Sequence, residues 1–188
     1  DDFNSPARQC LSASAIGLPN TIDYIEPYNG KLYASDSSGC KLFSSTNGTT
    51  WSSAINLPAT LCSFNRLANF NGKLYISLLG KPTGWSVSSL QIYEYDGTTA
   101  TGLLTEPQSQ AIGGGGTPTV PGAGWIWKDN ALYVGGKNDG VWRWSDGTWS
   151  LFSIVDPSYG TGNVIDLSVL DDRIYASVER PSSPGGWI

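Results

Sequence analysis

Asn29-Gly30-Lys31-Leu32-Tyr33-Ala34-Ser35 returns three times. It comes back as Asn71-Gly72-Lys73-Leu74-Tyr75-Ile76-Ser77, as Asp129-Asn130-Ala131-Leu132-Tyr133-Val134-Gly135 and as Asp171-Asp172-Arg173-Ile174-Tyr175-Ala176-Ser177. The tyrosines stand at 33, 75, 133 and 175, in steps of 42, 58 and 42 residues. Asn-Gly and Asp-Asn make tight two-residue turns because these residue types tolerate positive φ. The Leu-Tyr run behind each turn has the aromatic and alternating character of a strand. Each copy is therefore the hinge of a hairpin, and the hairpin is the repeating unit.

Working outward, each hinge has an apolar run before it and another after it. The runs before it carry Ile25, Leu67, Trp125 and Leu167 in one column, which reads as buried core. The neighbouring column, Tyr24, Arg66, Gly124 and Asp166, is more polar and points the other way, because side chains alternate across a strand. The runs after it include Lys41-Leu-Phe-Ser44, Gln91-Ile-Tyr-Glu-Tyr95 and Gly140-Val-Trp-Arg-Trp144, and three of them end in Asn-Gly or Asp-Gly. Steps near 42 residues are those of propeller blades. The expected fold is all-β: a small β-propeller of about four four-stranded blades in one domain spanning 1–188. Its units run over about 20–58, 59–121, 122–160 and 161–188 plus 1–19. The last unit stops two residues into its third strand, at Trp187-Ile188. Ala15-Ile-Gly-Leu-Pro19 repeats Ala54-Ile-Asn-Leu-Pro58, so the N-terminal segment is expected to complete the last blade and remove its open edge.

Composition narrows the function. Charged residues make up 14% of the 188 residues and the net charge is -5, so no basic patch is present for nucleic acid. No stretch is long and apolar enough for membrane insertion as a helix. The opening Asp1-Asp2-Phe3-Asn4-Ser5-Pro6, with no Met in the chain, reads as a mature end after processing. Low charge with abundant Gly, Ser, Thr, Trp and Tyr points to a secreted, extracellular or cell-surface location. Histidine is absent, which removes Ser-His-Asp and Cys-His catalysis and leaves no zinc pattern among three cysteines. No cofactor or metal is expected.

Ser44-Ser-Thr-Asn-Gly48-Thr-Thr50-Trp51 resembles the Asp-box of secreted β-propellers, a Ser-x-Asp-x-Gly-x-Thr-Trp turn, with Thr46 in place of the Asp. Ser145-Asp-Gly-Thr-Trp149 is a contracted version, and Asn-Gly-Lys-Leu-Tyr is similar to kelch-type repeats of bacterial surface proteins. The resemblance covers about residues 10–188. It implies the propeller architecture and leaves activity open, since such families include lectins, sialidases and structural surface repeats.

Two insertions account for the long step: 79–89, with Trp85, and 105–121, with the run Gly113–Gly116. Both are assigned to one rim, and loops on a rigid scaffold are where function concentrates. Trp85 is the candidate sugar-stacking platform. The glycine run lacks the Lys-Ser/Thr and the helix of a phosphate loop. Tyr24, Arg66 and Asp166 form a second candidate ligand set at the channel mouth. Cys40 and Cys62, on the same rim of adjacent units, are expected to form a disulfide, leaving Cys10 free or intermolecular. Asn47-Gly48-Thr49 is a candidate N-glycosylation triplet.

The first reading is an extracellular, lectin-like binding module recognising carbohydrate or a surface glycoconjugate through the insertion-bearing rim. The second is a structural subunit, a homo-oligomer or filament in which the N-terminal segment completes the neighbour's last blade. The third is a glycosidase using carboxylates such as Asp23, Glu26 and Asp166. It ranks below binding: a sialidase needs an Arg cluster, and Arg66 alone sits on an inner strand.

Overall fold

A computed structural model describes Leu18 and residues 22–86, 88–113, 124–138, 140–154 and 162–179. The N-terminal segment with Cys10, the end of the glycine run and the terminal Trp187-Ile188 lie outside the described residues.

The four phrases are hairpin hinges. Asn29 and Gly30 have φ of 48° and 72°, Asn71 and Gly72 48° and 70°, Asp129 and Asn130 48° and 59°, and Asp171 and Asp172 47° and 63°. Two positive φ angles in a row define the turn whose twist matches that of a hairpin, and these residue types are the ones that adopt it.

Around the hinges the chain forms sheets in sequence order. Sheet one is β1 (Ile22–Tyr28), β2 (Lys31–Asp36), β3 (Lys41–Ser45) and β4 (Ser52–Asn56). Sheet two is β5 (Ala59–Phe70), β6 (Lys73–Pro82), β7 (Ser89–Tyr95) and β8 (Ala100–Gly102). Sheet three is β9 (Trp125–Lys128), β10 (Ala131–Gly135), β11 (Gly140–Ser145) and β12 (Thr148–Ile154). Sheet four is β13 (Asn163–Leu170) and β14 (Arg173–Glu179), and among the described residues no strand lies on the outer edge of β14. All pairings within the sheets are antiparallel. Among the described residues the fold is all-β apart from one helix, α1 (Glu106–Gly113).

Successive sheets pack face to face through three apolar clusters. Tyr33 and Leu42 of sheet one meet Leu67, Leu74 and Ile76 of sheet two. Tyr75 and Ile92 of sheet two meet Trp125, Leu132 and Val134 of sheet three. Tyr133 and Val141 of sheet three meet Val164 and Leu167 of sheet four. Along β6 and β10 both faces are therefore buried, Leu and Ile or Val toward the preceding sheet and Tyr toward the following one. Gly124, just before β9, lies so near sheet four that a Cβ there would be 2.3 Å from the Cα of Asp166. Only glycine permits that approach.

The column expected to be core departs from expectation at one place. Leu67, Trp125 and Leu167 are buried, but Ile25 is 52% exposed. Its three counterparts each face the preceding sheet, and among the described residues no sheet precedes sheet one. Tyr175 is 47% exposed for the converse reason: Tyr33, Tyr75 and Tyr133 each face a following sheet.

The disulfide joins Cys40 and Cys62, with the Cα atoms 5.3 Å apart. Cys62 lies on β5 rather than in a loop, because the inner strand of sheet two begins at Ala59. The bond ties sheet one to sheet two across a sequence separation of 22 residues. A cross-link of that span stabilises by about 3 kcal/mol, mainly by restricting the unfolded chain. The double variant Cys40→Ala/Cys62→Ala should lose about that much in urea denaturation, whereas reductant should leave the variant's midpoint unchanged.

Candidate functional site

The two insertions of unit two meet. The first is the β6–β7 loop, where the Trp85 amide donates to the Pro82 carbonyl at 3.1 Å. The second begins at α1. Thr105 precedes the helix, and its amide donates to the Gln108 side-chain oxygen at 2.9 Å, one half of a capping box. The Glu106 carboxylate in the first turn accepts the Ser86 amide at 2.7 Å and the Ser86 hydroxyl. Buried Ser109 donates to the Leu90 carbonyl and is hydrogen-bonded to the Ser89 hydroxyl at 2.7 Å. At its far end Ile112, fully buried, accepts from the Lys137 amide at 2.8 Å in the β10–β11 loop. The helix thus bridges sheets two and three and holds the Trp85 loop, with Trp85 half-buried.

This helix is absent from the sequence reading. At eight residues it is shorter than the window over which a 3.6-residue period shows. Its signal was local: Thr105-Glu106-Pro107-Gln108 is a capping-box pattern with proline in the first turn.

The second candidate set divides. The Arg66 guanidinium donates to the Trp125 carbonyl at 3.2 Å, reaching from β5 to β9. Asp166 accepts the amide of its own neighbour, Leu167, at 2.9 Å. Tyr24 is 38% exposed on β1. An open pocket of about 300 Å³ lies among the inner strands, lined by Arg66, Ala68, Trp125, Ile126, Trp127 and Val169. Arg66 is on its wall; Tyr24 and Asp166 are not among the lining residues. Trp127 stacks on Phe70 at 4.1 Å between ring centres and is tilted against Tyr75 at 4.5 Å. The indole N–H groups of Trp125 and Trp127 are buried without a hydrogen-bond partner.

The carboxylates weighed for hydrolysis are engaged locally. Glu26 accepts the Asn69 amide at 3.1 Å, and Asp23 accepts the Ser37 hydroxyl. Both bonds join neighbouring strands or loops, which is structural work. Among the described residues no cluster of His, Cys, Asp and Glu could hold a metal ion.

The Asp-box-like turn is built by Asn47 rather than by Thr46. The Asn47 side-chain oxygen accepts the amides of Thr49 and Thr50, each at 2.9 Å, and Ser45 Oγ accepts that of Gly48 at 2.8 Å. Asp96 repeats the device in sheet two by accepting the amides of Thr99 and Thr98, which hold its carboxyl below the usual range. Asn47 is exposed, as a modification site requires.

No protein-family profile and no curated protein matches this chain.

Glu106 is the hinge pin of this rim. Its charge-assisted bonds are each worth about 1.5–3 kcal/mol. Replacing Glu106 with Ala should speed amide exchange at Ser86 roughly ten-fold or more by that magnitude. The amides of Ile92 and Tyr93, inside the sheet-two ladder, should keep their protection.

Proposed function

We propose that the chain is an extracellular binding module on a four-bladed propeller frame, recognising carbohydrate or a surface glycoconjugate through the rim that carries Trp85. One observation carries the reading: the two insertions are hydrogen-bonded to each other and seated on sheets two and three. A rim held in this way meets a ligand without first losing loop entropy. An indole at such a rim offers a flat apolar face with a polar edge, suited to the C–H face of a sugar ring. The disulfide fits the oxidising compartment that an extracellular role requires.

The propeller frame draws support from the repeat columns. Tyr175 and Ile25 are the two members whose counterparts all lie in inter-sheet clusters. Joining sheet four to sheet one would bury both. Leu18 supports the N-terminal segment as a blade tail, since it is as buried as Leu57, its counterpart in the repeated Ala-Ile-x-Leu-Pro stretch.

Among the described residues the outer edge of β14 pairs with no strand, which favours one rival, a structural subunit. The same N-terminal segment could add to the last sheet of a neighbouring copy and build a filament or ring.

Two experiments separate these readings. On a glycan array the intact chain should bind at least one glycan class, and Trp85→Ala should weaken that binding at least ten-fold, as aromatic anchors do. Silence on every glycan would sink the carbohydrate reading. Light scattering should give a monomer near 20.0 kDa, with deletion of residues 1–18 lowering only the melting temperature. A concentration-dependent ladder abolished by that deletion would instead establish the subunit reading.

A further inference from the structure

We infer that Asn29 is a self-modification site: with water as co-reactant its side-chain amide converts to an acid in the folded chain, while Asn47 and Asn71 are held back. The site is separate from the Trp85 rim and does not rest on the glycan reading.

The chain contains three Asn-Gly pairs, at 29–30, 47–48 and 71–72. Asparagine is thermolabile, and a following glycine, with no Cβ, lets its own backbone nitrogen reach the asparagine side chain. That nitrogen attacks Cγ and gives up its proton. A C–N bond forms, the Cγ–Nδ2 bond breaks, and the proton leaves with Nδ2 as ammonia. Water then opens the cyclic imide at one of its two carbonyls. Opening at the side-chain carbonyl gives aspartate; opening at the main-chain carbonyl gives isoaspartate. In sum, an amide and water become an acid and ammonia, and no oxidant or reductant is needed.

The structure ranks the three pairs by how each is held. Asn47 is held at both reacting atoms. Its Oδ1 accepts the Thr49 and Thr50 amides, which fixes Cγ, and the attacking nitrogen, that of Gly48, already donates to Ser45 Oγ at 2.8 Å. Asn71 is held at the leaving group, since its Nδ2 donates to Asn130 Oδ1 in the next hinge. Its hinge is also fastened by the Gly72 carbonyl, which accepts the Tyr28 hydroxyl at 3.0 Å. Asn29 is exposed, and among the described residues its side chain makes no hydrogen bond. Asn29 and Asn71 share the same positive φ of 48°, so the turn itself does not distinguish them. The attack requires the turn to open. Opening is easiest in sheet one, which no sheet precedes among the described residues.

The product changes the fold locally. An isoaspartate at 29 adds a methylene to the main chain of the turn that sets Tyr28 opposite Lys31. The Tyr28 hydroxyl is the bond that ties sheet one to hinge two. Conversion of Asn29 therefore loosens the junction of the first two sheets as the molecule ages.

The test incubates the whole chain, free of N-glycans, in buffer made with heavy-oxygen water and follows the amide-to-acid mass change at each pair by peptide mapping. In the folded chain Asn29 should convert at least roughly ten-fold faster than Asn47, by the combined weight of the bonds that hold Asn47. In urea the three pairs should convert at similar rates, because the local sequence chemistry is the same. Ser45→Ala, which frees the Gly48 amide, should raise the Asn47 rate roughly two- to ten-fold, the weight of a neutral hydrogen bond. Asn130→Gly, which keeps the hinge conformation and removes the tether, should raise the Asn71 rate by a similar factor. Equal rates at Asn29 and Asn47 in the folded chain would overturn the assignment, as would an Asn29 that stays intact while its urea control converts. The comparison of the three pairs is made on the unaltered chain, so it stands even if a variant fails to fold. Glycan binding at the Trp85 rim should be the same before and after Asn29 has converted.

Discussion

The tyrosine behind each hinge is the contact on which the arrangement of sheets depends. A strand buried on both faces must be apolar twice over, once for each neighbour. The Leu-Tyr pair does this with two adjacent residues: in β6 Leu74 points back to sheet one and Tyr75 forward to sheet three. Tyrosine has a hydroxyl to satisfy, and Tyr75 donates its hydroxyl to Glu94, which also pairs with Lys73. Burial comes first and the Glu94 bond second in pushing the Tyr75 hydroxyl well above its usual titration range. Tyr93 and Tyr95, buried in the first cluster, are pushed up to about 12. These groups are held neutral in the folded chain. Their contribution is complete below pH 10.0 and fades as the pH climbs through about 12.

How far the sequence could be read follows from which signals were local. The hinges were legible because Asn-Gly and Asp-Asn have few conformational alternatives, and each adopts the positive φ pair. The disulfide was legible because the repeat placed both cysteines on one rim. The exposure of Ile25 was not, because burial depends on whether a neighbouring sheet exists, and a column of similar residues cannot report that. Helix α1 was missed because a propensity window dilutes eight residues that are held by a cap and by tertiary contacts of Glu106, Ser109 and Ile112.

The candidate sites show the same division. Trp85 could be picked out as an aromatic in a loop, but its support by Glu106 is a contact across 20 residues. Arg66 could be placed on the face of β5 opposite Leu67, yet it reaches Trp125 rather than gathering with Tyr24 and Asp166. The polar column was read as one converging set. In the fold its members do not converge: Tyr24 is exposed on β1 and Arg66 is bonded to β9. Only Gly124 and Asp166 touch directly, backbone to where a side chain would be.

The bond between Cys40 and Cys62 has a mechanical side as well. It lies near the start of the series, so a pull on the two chain ends meets an uneven object. Sheets three and four can peel away strand by strand, but the segment between the two cysteines cannot lengthen while the bond holds. With a separation of 22 residues, it withholds about 70–80 Å of extended chain. Under load the first sheet and the start of the second would behave as a knot of fixed length, and the far end of the series as the part that gives.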